Sequence, residues 1–140
     1  MKPILRLSKT FAMLFALQLA ATPTLAQVGT GTHNLDGTEV NWTYNNNDAQ
    51  MIVSFAGGLA QYEWIAGGPK GNSDRNIPYS SREIAPNVYL MSWVQDDRPD
   101  YITMIFNFND MTIATTGVLR PGTDEERRLF LDGVINSVER

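Results

Sequence analysis

The chain contains no cysteine and a single histidine. The first absence excludes disulfides, thiol catalysis, thiolate zinc sites and iron–sulfur clusters, so hydrophobic packing and hydrogen bonds must hold the fold unaided. The second leaves His33 alone in a Gly/Thr-rich stretch, with no acid or nucleophile at a catalytic spacing. An exposed, inert side chain is the expectation there. Long apolar runs are also scarce. The most extended, Phe11 to Ala21 (FAMLFALQLAA), falls well short of the roughly 20 residues a spanning helix needs. Basic residues are in deficit, with 11 Lys and Arg against 15 Asp and Glu.

What is present at the start of the chain explains the apolar run. Lys2, Arg6 and Lys9 precede it with no acid among them, and Thr24-Leu25-Ala26 follows it with small residues. This order predicts a cleavable secretory signal peptide over residues 1–26, cut after Ala26. No cysteine follows the apolar run, which excludes a lipid-modified lipoprotein. Without Lys2, Arg6 and Lys9 the eleven basic residues fall to eight against fifteen acidic, a net charge of −7. Such a surface argues against nucleic acid and anionic lipid as partners, and against membrane attachment after cleavage. The expected location is periplasmic or secreted, and a cysteine-free exported domain fits a bacterial periplasm best. The remaining stretch, 27–140, has the length of one domain with one core.

From Thr38 onward the sequence alternates with period two and is punctuated by Gly, Asn, Asp and Pro. Val40, Trp42 and Tyr44 share one face of the first segment. Gln50–Ala56, Leu59–Ala66, Tyr79–Ala85, Val88–Gln95, Tyr101–Phe108 and Met111–Leu119 read as successive strands, with turns at Asn45–Asp48, Gly57-Gly58, Asp96–Asp100 and Asn109-Asp110. Gly67–Pro78 is polar and glycine-rich and predicts a mobile loop. Thr123-Asp124-Glu125-Glu126 has the form of a capping box, and Leu131, Val134, Ile135 and Val138 fall at helical spacing, so a C-terminal helix is expected, weakened by Gly133. The fold class expected is all-β: an antiparallel barrel of seven to eight strands followed by that helix. Closure removes the edges that so many short strands would otherwise expose, and a two-sheet sandwich is the alternative.

The aromatic inventory of such a barrel is its main chemical resource. Trp42, Tyr44, Tyr62, Trp64 and Trp93 combine an apolar body with a polar tip, and inward-pointing members would line a cavity. Plain core packing is the competing expectation for each. Arg75 and Arg82 offer a guanidinium to a ligand carboxylate, against the simpler expectation of solvated surface residues. Asp96, Asp97 and Asp100 cluster in one turn, but their spacing matches no calcium loop. Gly29-Thr30-Gly31 and Gly57-Gly58 lack the strand-to-helix context of phosphate-binding glycines. No metal or nucleotide cofactor is expected.

Asn87–Gln95 (NVYLMSWVQ), preceded by Tyr79–Pro86 (YSSREIAP), resembles a strand shared by the calycin-type, lipocalin-like small barrels of the MoaF-like group and the phenolic acid decarboxylases. Val40–Tyr44 and Gln61–Trp64 sit where such barrels place their first and third strands. In the decarboxylases the resemblance implies two tyrosines, an arginine and a glutamate two positions after the strand tryptophan. Here that glutamate is Gln95, which cannot deliver a proton as a carboxylic acid does. Of the tyrosine pair Tyr44 is present and Trp42 stands two positions before it. The expected function is therefore binding of a small apolar or aromatic ligand in a cavity lined by Trp42, Tyr44, Tyr62, Trp64, Arg82, Trp93 and Gln95. A cofactor-independent lyase using Tyr44, Tyr62 and Arg82 is the alternative, and a protein-interaction module with an outer aromatic patch is a third reading. The oligomeric state is open, with a homodimer among the partners considered.

Overall fold

A computed structural model describes residues 32–95 and 98–140. The expected signal peptide and its expected cleavage site lie outside the described residues, as do Asp96 and Asp97. The chain forms eight antiparallel strands: β1 (Glu39–Tyr44), β2 (Gln50–Ala56), β3 (Leu59–Ala66), β4 (Ser73–Ala85), β5 (Val88–Val94), β6 (Tyr101–Asn107), β7 (Thr112–Leu119) and β8 (Arg127–Glu139). Each pairs with its neighbour in sequence, and β8 returns to pair with β1, closing the barrel. Period-two alternation dictates which side chains enter. Val40, Trp42 and Tyr44 of β1, Met51, Val53 and Phe55 of β2, and Ile102, Met104 and Phe106 of β6 are all buried.

The expected C-terminal helix is not present; Arg127–Glu139 is the closing strand. The apolar residues of this segment satisfy two periods at once. Leu131, Val134, Ile135 and Val138 suit a helix, while Leu129, Leu131, Gly133 and Ile135 suit a strand with one face inward. Pairing decides between them, because β8 completes ladders to both β7 and β1 and leaves the barrel no open edge. Gly133, read in a helix, would only weaken it. In the strand it lies where β8 presses on β1, and a Cβ there would sit 2.6 Å from the Thr43 carbonyl oxygen. Three residues on, Asn136 bulges out of register opposite β1 and donates its side-chain amide to Asn41 Oδ1 at 2.8 Å and Thr43 Oγ1 at 3.0 Å.

The capping-box residues serve a turn instead. Thr123 Oγ1 donates to the Arg120 carbonyl at 2.8 Å, and Glu126 Oε2 accepts from the Gly122 amide at 2.9 Å. The predicted Gly67–Pro78 loop is also shorter than expected. The chain reverses within 67–72 and enters β4 at Ser73, pairing Ser73 with Glu63 and Asp74 with Tyr62. Gly67 has φ +80°, and its Cα lies against Ala49, where a Cβ would come within 2.6 Å of the Ala49 Cα.

The two ends of the barrel differ. Gly57-Gly58, Pro86-Asn87 and the β6–β7 turn ring one end, and residues 32–38 run across it. Leu35 plugs this end and is completely buried. Asp36 fastens the crossing segment: its carboxylate accepts from the Gly58 amide at 3.1 Å and from the Tyr79 hydroxyl at 2.7 Å. Thr32 bridges to Ser81. His33 is exposed, its ring 5.3 Å from that of Tyr79. The other end is ringed by the β1–β2, β3–β4, β5–β6 and β7–β8 turns, and nothing described crosses it.

Candidate functional site

The interior divides at mid-barrel. In the capped half Trp42, Phe55, Phe106 and Tyr79 pack edge to face or tilted, with centroids 4.8 to 6.1 Å apart. The uncapped half holds a cavity of about 890 Å³ open to the mouth. At its floor the Tyr44 hydroxyl and Thr115 Oγ1 are 2.9 Å apart, both residues buried. Burial raises the Tyr44 pKa, although the bond to Thr115 opposes the shift, so its phenol stays neutral through physiological pH. The pair holds one proton between its oxygens and leaves one to offer elsewhere.

The walls are aromatic and aliphatic. Tyr62 lies nearly parallel to Trp93, centroids 6.1 Å apart at 14°, and Trp64 leans on Tyr44 at 5.9 Å. Met51, Ile102, Met104 and Leu131 complete the apolar lining. One polar cluster interrupts it. Gln95, 6% exposed, donates its side-chain amide to Asp74 Oδ2 at 3.0 Å and to the Tyr62 hydroxyl at 3.1 Å. A carboxylate can only accept, so Asp74 fixes which end of the Gln95 amide faces it. Tyr62 then accepts from Gln95 and keeps its own proton for another acceptor. At the mouth Asp100 is committed to structure, accepting from the Arg120 amide at 2.8 Å with Arg98 Nε at 3.6 Å. Arg98 and Arg127 are exposed cations on the rim.

Of the residues predicted from sequence, Tyr44, Tyr62, Trp64, Trp93 and Gln95 converge on this cavity. Trp42 does not: one position pair deeper along β1, it is completely buried in the capped half against Phe106. Arg82 does not either. Ser81 is the buried residue of that stretch of β4, so alternation turns Arg82 to the outer wall, opposite Leu90. Arg75 borders a separate groove of about 380 Å³ along β1–β4, together with Glu39 and Glu63. That groove is open and polar and has little of the buried aromatic wall that marks the interior. Sequence reasoning missed Asp74, Thr115 and the β8 leucines. Asp74 falls in the segment expected to be a loop, and the β8 residues in the segment expected to be a helix. Among the described residues no cluster of His, Asp and Glu could hold a metal ion.

A model of the MoaF-like family matches residues 36–124. The chain belongs to the MoaF-like family. The matched region runs from the Asp36 fastening to the β7–β8 turn, and so carries most of the cavity wall. Among solved structures, a protein of Burkholderia vietnamiensis described as a "putative beta-lactamase" is similar to this MoaF-like chain at 17% identity, covering 73% of this chain and 93% of that one with a TM-score of 0.61. At that identity the likeness concerns the fold alone. No curated protein matches the sequence.

Proposed function

We propose that this MoaF-like protein is an exported, periplasmic binding protein that holds one small, partly aromatic ligand in the uncapped half of its barrel. The observation that carries the proposal is the contrast within one interior: a wall of Tyr62, Trp64 and Trp93 faces empty volume, while an equally aromatic set a few residues away is packed solid. The cavity volume of about 890 Å³ lies within the span of about 300 to 1,000 Å³ usual for small-molecule sites. Two donors await an acceptor there: the free proton of the Tyr44–Thr115 pair and the Tyr62 hydroxyl. A flat ligand bearing hydroxyl or carbonyl oxygens suits that set.

The lyase reading gains Tyr44 and Tyr62 in one cavity but loses Arg82 to the outer wall. Gln95 is no acid, and the raised pKa of Tyr44 favours hydrogen-bond donation over proton transfer. The decisive experiment is native mass spectrometry of the protein purified gently from the periplasm of its own host, then denatured to identify what it carried. The expected result is a stoichiometric small molecule that quenches or shifts tryptophan emission when added back, and loses affinity in Gln95→Leu and Tyr62→Phe. A protein that neither carries a molecule nor responds to any planar oxygen-bearing compound would sink the proposal.

A further inference from the structure

A closed barrel has no edge strand to lend, which leaves its outer faces and its ends for self-association. The outer face of β5, β6 and β7 differs from the rest of the wall. From Val88 to Val94, Tyr101 to Asn107 and Thr112 to Val118, no outward residue is charged, whereas Glu39, Glu63 and Arg82 point outward from β1, β3 and β4. On the adjoining β8, Phe130 is 82% exposed, and on β6 Tyr101 is 53% exposed. These are the two most exposed large apolar side chains of the described residues.

The register gives this face a symmetry. Thr103 of β6, Thr116 of β7 and Phe130 of β8 lie in one row across the strands. One row toward the mouth stand Tyr101, Val118 and Arg128; one row toward the capped end stand Ile105, Ala114 and Asp132. A two-fold axis lying along the central row, in the plane of contact, turns each strand antiparallel to its own copy and exchanges the flanking rows. Arg128 then meets Asp132 of the second copy twice, Tyr101 meets Ile105, Val118 meets Ala114, and Phe130 meets itself. The pairing is opposite in charge at β8 and large against small at β7, as an isologous contact requires. The barrel wall curves away on both sides of β7, and the long aromatics at the margins, Tyr101 and Phe130, reach across the widening gap.

From this symmetry we propose that a second copy of this chain docks on the β6–β8 face about an axis through the Thr103–Thr116–Phe130 row. The proposal is independent of what the cavity holds. The test is sedimentation equilibrium of the purified protein from about 1 μM to about 1 mM, the range of transient dimers. Mass is expected to climb from one chain to two. Phe130→Ser should weaken association at least tenfold with an unchanged melting temperature. Arg128→Asp and Asp132→Arg should each weaken it several-fold, and the two together should restore it, because the exchanged charges again face each other. A one-chain mass throughout, or a dimer indifferent to Phe130→Ser, or a double variant no better than the singles, overturns it.

Discussion

The two halves of this barrel are built from the same eight strands and nearly the same residue types, yet one is solid and the other hollow. In the capped half Trp42, Phe55 and Phe106 enter from three strands at one level and Leu35 fills the end. In the uncapped half Tyr62 stacks on Trp93 and Trp64 leans on Tyr44, so the rings lie along the wall instead of meeting at the axis. Opposite them β7 and β8 present Thr115, Leu129 and Leu131, which are too small to reach across. The difference therefore resides in the distribution of side-chain volume between facing strands, and not in aromatic content. Solid packing and open volume are separated along one axis.

Truncating the solid half should break that separation most severely. Phe106→Ala removes a ring buried against Trp42, Phe55 and Phe108, and is expected to cost about 3–5 kcal/mol in chemical denaturation. Enlarging side chains sharpens the same contrast. Val53→Phe has no room in the capped half and should cost about 1–3 kcal/mol, while Leu129→Phe grows into the cavity and should stay within about 0.5 kcal/mol of the parent while reducing ligand uptake. Gly133→Ala belongs with the costly changes, also about 1–3 kcal/mol, because its methyl would meet the Thr43 carbonyl. Equal melting curves for Val53→Phe and Leu129→Phe would erase the distinction between the halves.

How much of this was legible beforehand follows the same division. The strands from β1 to β7 announce themselves by alternation and by turn residues, and five of seven expected cavity residues fall where alternation and depth place them. The failures are local and physical. Depth along a strand is invisible to a period-two pattern, so Trp42 and Tyr44 look equivalent although one packs and the other lines a cavity. Arg82 is expected at the ligand by its chemistry, but the burial of Tyr79 and Ser81 fixes the parity of the strand and turns Arg82 outward. β8 carries two compatible periods, and only the need of β1 and β7 for a partner selects one. Asp74 emerges as a cluster member once the 67–78 segment is seen to pair with β3 almost from Ser73 onward.

The Asp36–Tyr79 fastening of the capped end carries a pH signature. The Tyr79 hydroxyl lowers the Asp36 pKa below its ordinary 3.8, with smaller help from the Gly58 amide against the cost of burial. A depressed carboxylate contributes stability that is present above its unfolded pKa and lost as pH falls through the folded one. Burial, and then the bond to Asp36, push the Tyr79 pKa well above its ordinary 10.0. A raised phenol contributes stability that is full below about pH 10, the unfolded value, and lost as pH rises toward the folded one. Tyr44 adds to that alkaline limb through its own burial. Tyr79→Phe should cost about 1 kcal/mol at neutral pH and flatten both limbs of the stability profile, the alkaline one more. A profile unchanged in shape would mean that the Asp36 fastening does not form in solution.

The smallest effect expected is at Arg82, and its smallness is informative. A guanidinium on the outer wall, exposed and opposite Leu90, has no ion-pair partner among the described residues, so Arg82→Ala should shift stability by less than about 0.5 kcal/mol. Its effect on ligand affinity should be nil, since the barrel wall stands between it and the cavity. Arg127→Ala is the matched control at the rim, where a cation can reach a carboxylate protruding from the mouth. If affinity for an acidic ligand falls in Arg127→Ala and not in Arg82→Ala, the ligand enters by the uncapped end. If Arg82→Ala weakens binding instead, the site is on the outer surface and the hollow half is merely unfilled core.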